Sequence, residues 1–231
     1  LIVVLIFLIA VVIAADRVGA LVGAHVLAGK VQSDENLPSR PSATIGGIPF
    51  LTQAISGSYK DVTITAREVP LNGLSVTTLT AHLHGVHLPF DKAITGSVSQ
   101  VPVDRVEGTA FVSYADADVY LADHHEPGQH VTLEPGGAGT VRVNDKVHTG
   151  GRAFTLHANG RLAVADNTIT MNIGHLSGAS ASIVSAAQHT LTVSFPLHGL
   201  PFRAQLQSVS ANSEGMSADV TATNIVLGEH G

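Results

Sequence analysis

Hydrophobic and polar residues alternate strictly along three stretches of the chain. In YKDVTITAR (59–67), Val62, Ile64 and Ala66 alternate with Asp61, Thr63, Thr65 and Arg67. In HTLTVSF (189–195), Leu191, Val193 and Phe195 alternate with Thr190, Thr192 and Ser194. In GMSADVTAT (215–223), Met216, Ala218, Val220 and Ala222 alternate with Ser217, Asp219, Thr221 and Thr223. A period of two sends the two sets to opposite faces of a strand. One wet and one dry face per strand is the pattern of antiparallel sheet. Further strands are predicted near 73–84, 103–112, 139–147, 153–164 and 167–173. PGG (135–137) and TGG (149–151) supply turns, and Asn159-Gly160 carries a hairpin signal.

Helical spacing is predicted over 16–32, where Val18, Leu21, Val22, His25 and Val26 form one apolar stripe. It recurs briefly at 49–57, 114–124 and 179–188. SDENLPSRPS (33–42) ends the first helix with turn formers and prolines and reads as a linker. The expected class is α+β: a long, strongly curved antiparallel sheet wrapping helices. A long sheet with few helices must cover its apolar face by curling on itself or by wrapping a helix or a ligand.

LIVVLIFLIAVVIAA (1–15) stands apart as an uninterrupted apolar run closed by Asp16-Arg17. As a helix it spans roughly 22 Å, at about 1.5 Å per residue, against a hydrocarbon core of roughly 30 Å. It reads as an export segment, either a cleaved signal peptide with small residues at Ala14 and Ala15 or a retained anchor. The chain opens on Leu1 with no basic segment, so further residues upstream are expected. The expected organisation is 1–15 as signal or anchor and 16–231 as one domain, placed outside the cytoplasm in the cell envelope.

Composition narrows the function. The net charge is −6 with 12 Lys and Arg scattered along the chain, which argues against a nucleic-acid partner. Aromatic residues make up 4% with no Trp, which weakens sugar-stacking and single-strand-binding readings. Cysteine is absent, so there is no disulfide framework, thiolate nucleophile or Cys-based zinc site. No G-x-S-x-G elbow, H-E-x-x-H helix or P-loop occurs. GGAGTV (136–141) runs into strand-like TVRVNDKV, where a phosphate loop needs a helix N-terminus, and reads as a turn. No catalytic residue, metal ligand or cofactor is assigned.

Two histidine clusters and one acidic cluster were weighed. HHEPGQH (124–130) gathers His124, His125, Glu126 and His130, but the adjacent histidines point apart and Pro127-Gly128 implies a turn. His82 and His84 share one strand face without a third ligand, and read as an exposed pair on the wet side of a sheet. Asp116 and Asp118 diverge around a helix. Together with Asp123 they are expected on its solvated side, leaving Ala115, Val119 and Ala122 inside, with Tyr114 or Tyr120 beside them.

The recurring Pro-Phe pairs are the other distinctive feature. GIPFLTQ (47–53) is echoed by GLPFRAQ (199–205), and Pro89-Phe90 gives a third pair. Pro49, Pro89 and Pro201 fix φ and withhold an N–H, so each is expected to start or stop a strand at the sheet margin. Phe50, Phe90 and Phe202 then drop a ring inward. Gly46, Gly47, Gly57, Gly199 and Gly215 are expected at bends or bulges.

IGGIPFLTQAISGSYKDVTITA (45–66), VDRVEGTAFVSYADADVYLA (103–122) and VSFPLHGLPFRAQLQSVSANSEGMSADVTATNIVL (193–227) occur in that order behind the export segment. In this the chain resembles the LmeA-type family of actinobacterial cell-envelope proteins over about residues 16–228. The resemblance implies a single-domain, TULIP-like fold in which a curved sheet wraps helices around an apolar tubular groove. It also implies phospholipid binding in support of envelope mannolipid assembly.

A groove for one acyl chain of about sixteen carbons must contribute on the order of 12 kcal/mol, at about 0.8 kcal/mol per buried CH2. Phe50, Leu51, Ile55, Val119, Leu121, Phe154, Phe195 and Phe202 are the expected lipid-contacting residues. Arg40, Lys60, Arg105 and Arg203 are cations available to an anionic headgroup. The expected partners are phospholipid and, through the N-terminal segment, a membrane. The alternatives are an adaptor that binds a protein in an apolar groove and an envelope-lipid enzyme using the His-rich loop.

Overall fold

Alternation of period two becomes sheet almost wherever it occurs. The computed structural model describes residues 2–71, 73–89, 92, 100–124, 130–137, 139–149, 152–165, 167–174, 177, 193–196 and 203–227. Among the described residues the named helices are α1 (Ile2–Asp34), α2 (Phe50–Ser56) and α3 (Tyr114–His124). The strands are β1 (Ser42–Ile45), β2 (Ser58–Leu71), β3 (Leu74–His87), β4 (Val101–Ser113), β5 (His130–Gly137), β6 (Thr140–Thr149), β7 (Arg152–Ala165), β8 (Thr168–Ile173), β9 (Val193–Pro196), β10 (Gln205–Ala211) and β11 (Gly215–Leu227).

The class is α+β with extensive antiparallel sheet and few helices. In place of one long sheet, the described strands form two: six strands ordered β1-β2-β3-β4-β11-β10, and a five-stranded meander β5-β6-β7-β8-β9. The split follows the path of the chain. The chain leaves β4 through α3, and β5 then pairs with β6 rather than returning to β4; only β10 and β11 rejoin the first sheet.

Register divides the six-stranded sheet into a wet and a dry face. The partners Thr63↔His82↔Glu107↔Thr221 and Thr65↔Thr80↔Thr109↔Asp219 line one side. His82 and His84 lie there as expected, His82 Nδ1 bonded to the Thr63 hydroxyl at 3.0 Å and His84 Nδ1 to Asp61 at 2.7 Å. On the other side stand Val62↔Leu83↔Val106↔Ala222 and, beyond them, Tyr59↔Val86↔Val103↔Ile225, with Asn224 (φ 52) bringing Ile225 onto that face.

Two cores form on the apolar side. The first joins α1 and α2 to the six-stranded sheet through Ala20, Phe50, Ala54, Tyr59, Val62, Leu83 and Val103. The second places Tyr114 and Ala117 of α3 against Leu133, Val141, Val143 and Met171 of the five-stranded sheet, with Val112, Ala211 and Met216 of the six-stranded one alongside. A side-chain link also ties the sheets. Asn167, at the β7–β8 turn, accepts the Leu206 amide at 2.9 Å and donates to the Ala204 carbonyl at 3.2 Å.

Two local expectations are corrected. Asn159-Gly160 is no hairpin turn but lies inside β7, opposite Arg142 and Val141. A Cβ at Gly160 would stand 2.6 Å from Met171 Cγ, so the glycine serves close packing across the strands. The 1–15 run and the 16–32 helix are one uninterrupted helix of 33 residues, about 50 Å long at about 1.5 Å per residue. The stripe of α1 facing the domain is also not the predicted one. Val18, Leu21, Val22 and Val26 are 59%, 68%, 59% and 58% exposed, while Ala20, Ala24 and Ala28 are buried. The reason is steric: Cβ atoms at Gly19 and Gly23 would approach the Phe50 ring to 3.1 and 3.3 Å, leaving room there only for a small-residue face.

Candidate functional site

The GGIPFLTQ segment builds a corner. Pro49 is the N-cap of α2 rather than a strand terminator, and Gly57 ends the helix in the left-handed conformation (φ 67), its amide donating to Ala54. Gly47 is also left-handed (φ 86), while Gly46 and Gly215 do not have positive φ. Phe50 drops inward, as expected, with its ring 6.2 Å from that of Tyr59. Gln53 is buried and works at both ends. Its Nε2 donates to the Gly46 carbonyl at 3.1 Å and its Oε1 accepts the Lys60 amide at 2.9 Å.

The cap of α2 comes from α1. Asp16, 4% exposed, accepts the Leu51 amide at 2.8 Å through Oδ1 and the Arg17 guanidinium through Oδ2. Arg17 also donates to the Gly47 carbonyl at 3.2 Å. Further along, Arg40 donates to the His25 carbonyl of α1 at 2.7 Å. These contacts fasten residues 16–28 of α1 to the domain.

Between the two cores lies a strip of apolar face. Its two rows are Ile64↔Ala81↔Gly108↔Val220↔Leu206 and Ala66↔Leu79↔Ala110↔Ala218↔Val209. Leu79, Ala110, Ala218, Val209 and Val220 are half-buried and belong to neither core. At about 4.8 Å per strand, five strands make the strip roughly 19 Å wide. Five of its ten positions are Gly or Ala.

At the far end α3 bridges the sheets through the carboxylates expected to face solvent. Asp116 Oδ2 accepts the hydroxyls of Thr77 (2.5 Å) and Ser113 (2.7 Å), while Ser113 caps the helix by accepting the Asp116 amide at 3.1 Å. Asp118 Oδ1 accepts the Leu133 amide of β5 at 2.7 Å. Burial lifts the Asp118 carboxyl above its usual range, against the Leu133 hydrogen bond that lowers it; nearby Glu134 adds to the rise. Burial likewise raises the phenols of Tyr59 and Tyr114. The divergence that denies Asp116 and Asp118 a joint acid-base role is what lets one reach each sheet. Tyr114 turns inward, as expected, but with Ala117 beside it, while Ala115, Val119 and Ala122, expected inside, are exposed.

Of the residues expected to contact lipid, the described side chains lie in different settings. Phe50 is core, whereas Leu51 (41%) and Ile55 (84%) project from α2. Val119 projects from α3 and Leu121 packs on the second core. Phe154 and Phe195 lie in β7 and β9, opposite Val147 and Ile169, and their side chains are outside the described residues, as is all of Phe202. Phe90, Pro201, Gly199, His125, Glu126 and the predicted 179–188 helix also fall outside them. Among the described residues, no three His, Asp or Glu gather as a metal-binding group. Of the candidate cations, Arg40 is held by His25 and Arg105 by Glu107 at 2.8 Å, while Lys60 and Arg203 are exposed. A hollow of about 230 Å³ between the β5–β6 and β10–β11 turns, lined by Pro135, Gly137, Thr140 and Asn212, is below the roughly 300–1,000 Å³ usual for ligand sites.

Sequence reasoning missed the strip, because cross-strand register, not composition, assembles it. The family model for LmeA-like phospholipid-binding proteins matches residues 14–221, the corner, both sheets and α3 included. The chain belongs to the LmeA-like phospholipid-binding family. No curated protein and no solved structure matches it. For an LmeA-like chain the family description names phospholipid binding and no reaction. The N-terminal helix of this LmeA-like protein is also long and apolar enough to cross a membrane by length and composition, a property that signal sequences share.

Proposed function

We propose that the protein is an extracytoplasmic phospholipid-binding protein, held at the envelope membrane by the apolar part of α1, that shields an acyl chain against the strip between its two cores. The observation that carries this reading is the strip itself, with Leu79, Ala110, Ala218 and Val220 only partly buried on the helix-bearing face of a sheet. In a lipid-binding family, an apolar surface that the protein leaves partly uncovered is the natural acyl contact. Burial there is non-directional, which suits cargo that must be released as well as held. A tubular enclosure and a service to mannolipid assembly extend the same proposal.

Native mass spectrometry with lipid extraction of the full chain, purified from its own membrane, tests it. Stoichiometric phospholipid is the expected result. A copurified polypeptide in its place favours the adaptor reading, and recovery of neither removes the support for a resident acyl chain.

A further inference from the structure

Asp16 directly follows the apolar 1–15 run, and its Oδ1 lies 2.8 Å from the Leu51 amide nitrogen. The position of α1 in a membrane therefore sets the position of the first turn of α2. Around that junction three large apolar side chains point outward: Ile48 (78% exposed), Leu51 (41%) and Ile55 (84%). A Cβ at Gly19 would lie 3.8 Å from Leu51 Cδ2, so α2 flanks the domain-facing side of α1 there, and Val22, one helical turn on, is exposed.

Many polar groups of the same corner already have partners within the protein. Both Asp16 oxygens are occupied, by Leu51 and Arg17, and Arg17 also donates to Gly47. Gln53 ties the Gly46 carbonyl to the Lys60 amide. The hydroxyls of Thr52 and Ser56 donate to the carbonyls of Pro49 and Gln53, at 2.9 and 3.0 Å. Lipid hydrocarbon tolerates a polypeptide surface only where its hydrogen-bonding groups find partners within the protein. This corner combines that condition with apolar projections and with continuity into an apolar helix.

We propose that Ile48, Leu51 and Ile55, with Val22 of α1, form a second membrane contact that seats in the acyl region of the bilayer beside α1. The inference rests on the membrane reading of α1. It makes the anchor more than a tether: α2 and the end of the sheet it covers are held against the lipid surface in one orientation.

The chain has no Trp, so single tryptophans are clean reporters. The full chain is reconstituted in phosphatidylcholine–phosphatidylglycerol vesicles with brominated acyl chains, carrying Phe7→Trp in the apolar run, Ile55→Trp at the corner, or Val119→Trp on α3. All three sites are exposed, so each variant is expected to unfold at the parent's midpoint. The expected result is strong bromine quenching at positions 7 and 55 and none at 119. Quenching at 7 without quenching at 55 leaves the anchor standing and overturns the corner. No quenching at either overturns both. Equal quenching at 55 and 119 indicates indiscriminate lipid contact and overturns the corner. Shielding of position 55 from both brominated lipid and acrylamide shows a polypeptide cover, which also overturns it.

Discussion

Oδ1 of Asp16 accepts the amide proton of Leu51 at 2.8 Å, so a residue at the end of the apolar run caps a helix 35 positions further along the chain. Replacing Asp16 by Ala removes that acceptor and leaves Arg17 without its partner, and thermal unfolding should show a lowered midpoint. Asp16→Asn keeps an acceptor oxygen and should retain more of the stability than the Ala variant. Equal midpoints for parent and Ala variant would show that the cap contributes nothing.

Phe50 and Ile55 share one short helix but should respond oppositely to truncation. Phe50 is 6% exposed against Gly19, Gly23 and Tyr59, so Phe50→Ala should cost about 3–5 kcal/mol in denaturant unfolding. Ile55 is 84% exposed, and Ile55→Ala should stay within about 0.5 kcal/mol of the parent. A large loss at Ile55 would mean that something in the folded protein covers it.

Asp118 carries a pH signature. Its carboxyl, raised by burial in the folded state, binds its proton more tightly there than in the unfolded chain, whose value is near 3.8. Its contribution is therefore most favourable below that value and is lost as pH rises through the raised folded one. Asp118→Asn should abolish this component of the pH–stability curve while keeping an acceptor for the Leu133 amide. Asp118→Ala should instead lose about 1–3 kcal/mol at neutral pH, because a buried amide is orphaned. A curve unchanged in the Asn variant would show that the carboxyl is not perturbed.

The strip offers a gain-of-bulk test. Ala110 is half-buried, paired with Leu79 and Ala218, and outside both cores. Ala110→Phe should occupy the strip with its own ring, lowering copurified phospholipid while leaving the thermal midpoint close to the parent's. Undiminished lipid in a folded variant would move the acyl contact elsewhere.

Strands were the most legible part of the fold, because a half-buried strand must write its two faces into alternating residues. The 114–124 helix was legible for the same reason, its bounds matching α3. Facing was harder. On α1 the larger residues point away from the domain, so the usual rule that the apolar stripe faces inward selects the wrong side; Gly19 and Gly23 beside Ala20 and Ala24 were the overlooked signal of close approach. Asp116 and Asp118 look solvated in sequence because their partners, Thr77 and Leu133, are brought to them only by the tertiary fold. The partition into two sheets depends on which strand β5 meets, a choice no local pattern encodes.

The two lateral borders of the six-stranded sheet are poor templates for strand addition. β1 covers β2 only from Val62 to Thr65, and the uncovered remainder carries Arg67, Glu68 in the left-handed region (φ 53) and Pro70, which has no amide to offer. On the opposite border the Leu206 amide is already taken by Asn167. A neighbouring molecule docking edge to edge would meet charge, a kink and missing or occupied donors. A protein with a partly uncovered apolar face thereby withholds the hydrogen-bonding ladder through which such surfaces would otherwise polymerise, so its concentrated solutions should stay free of fibrils.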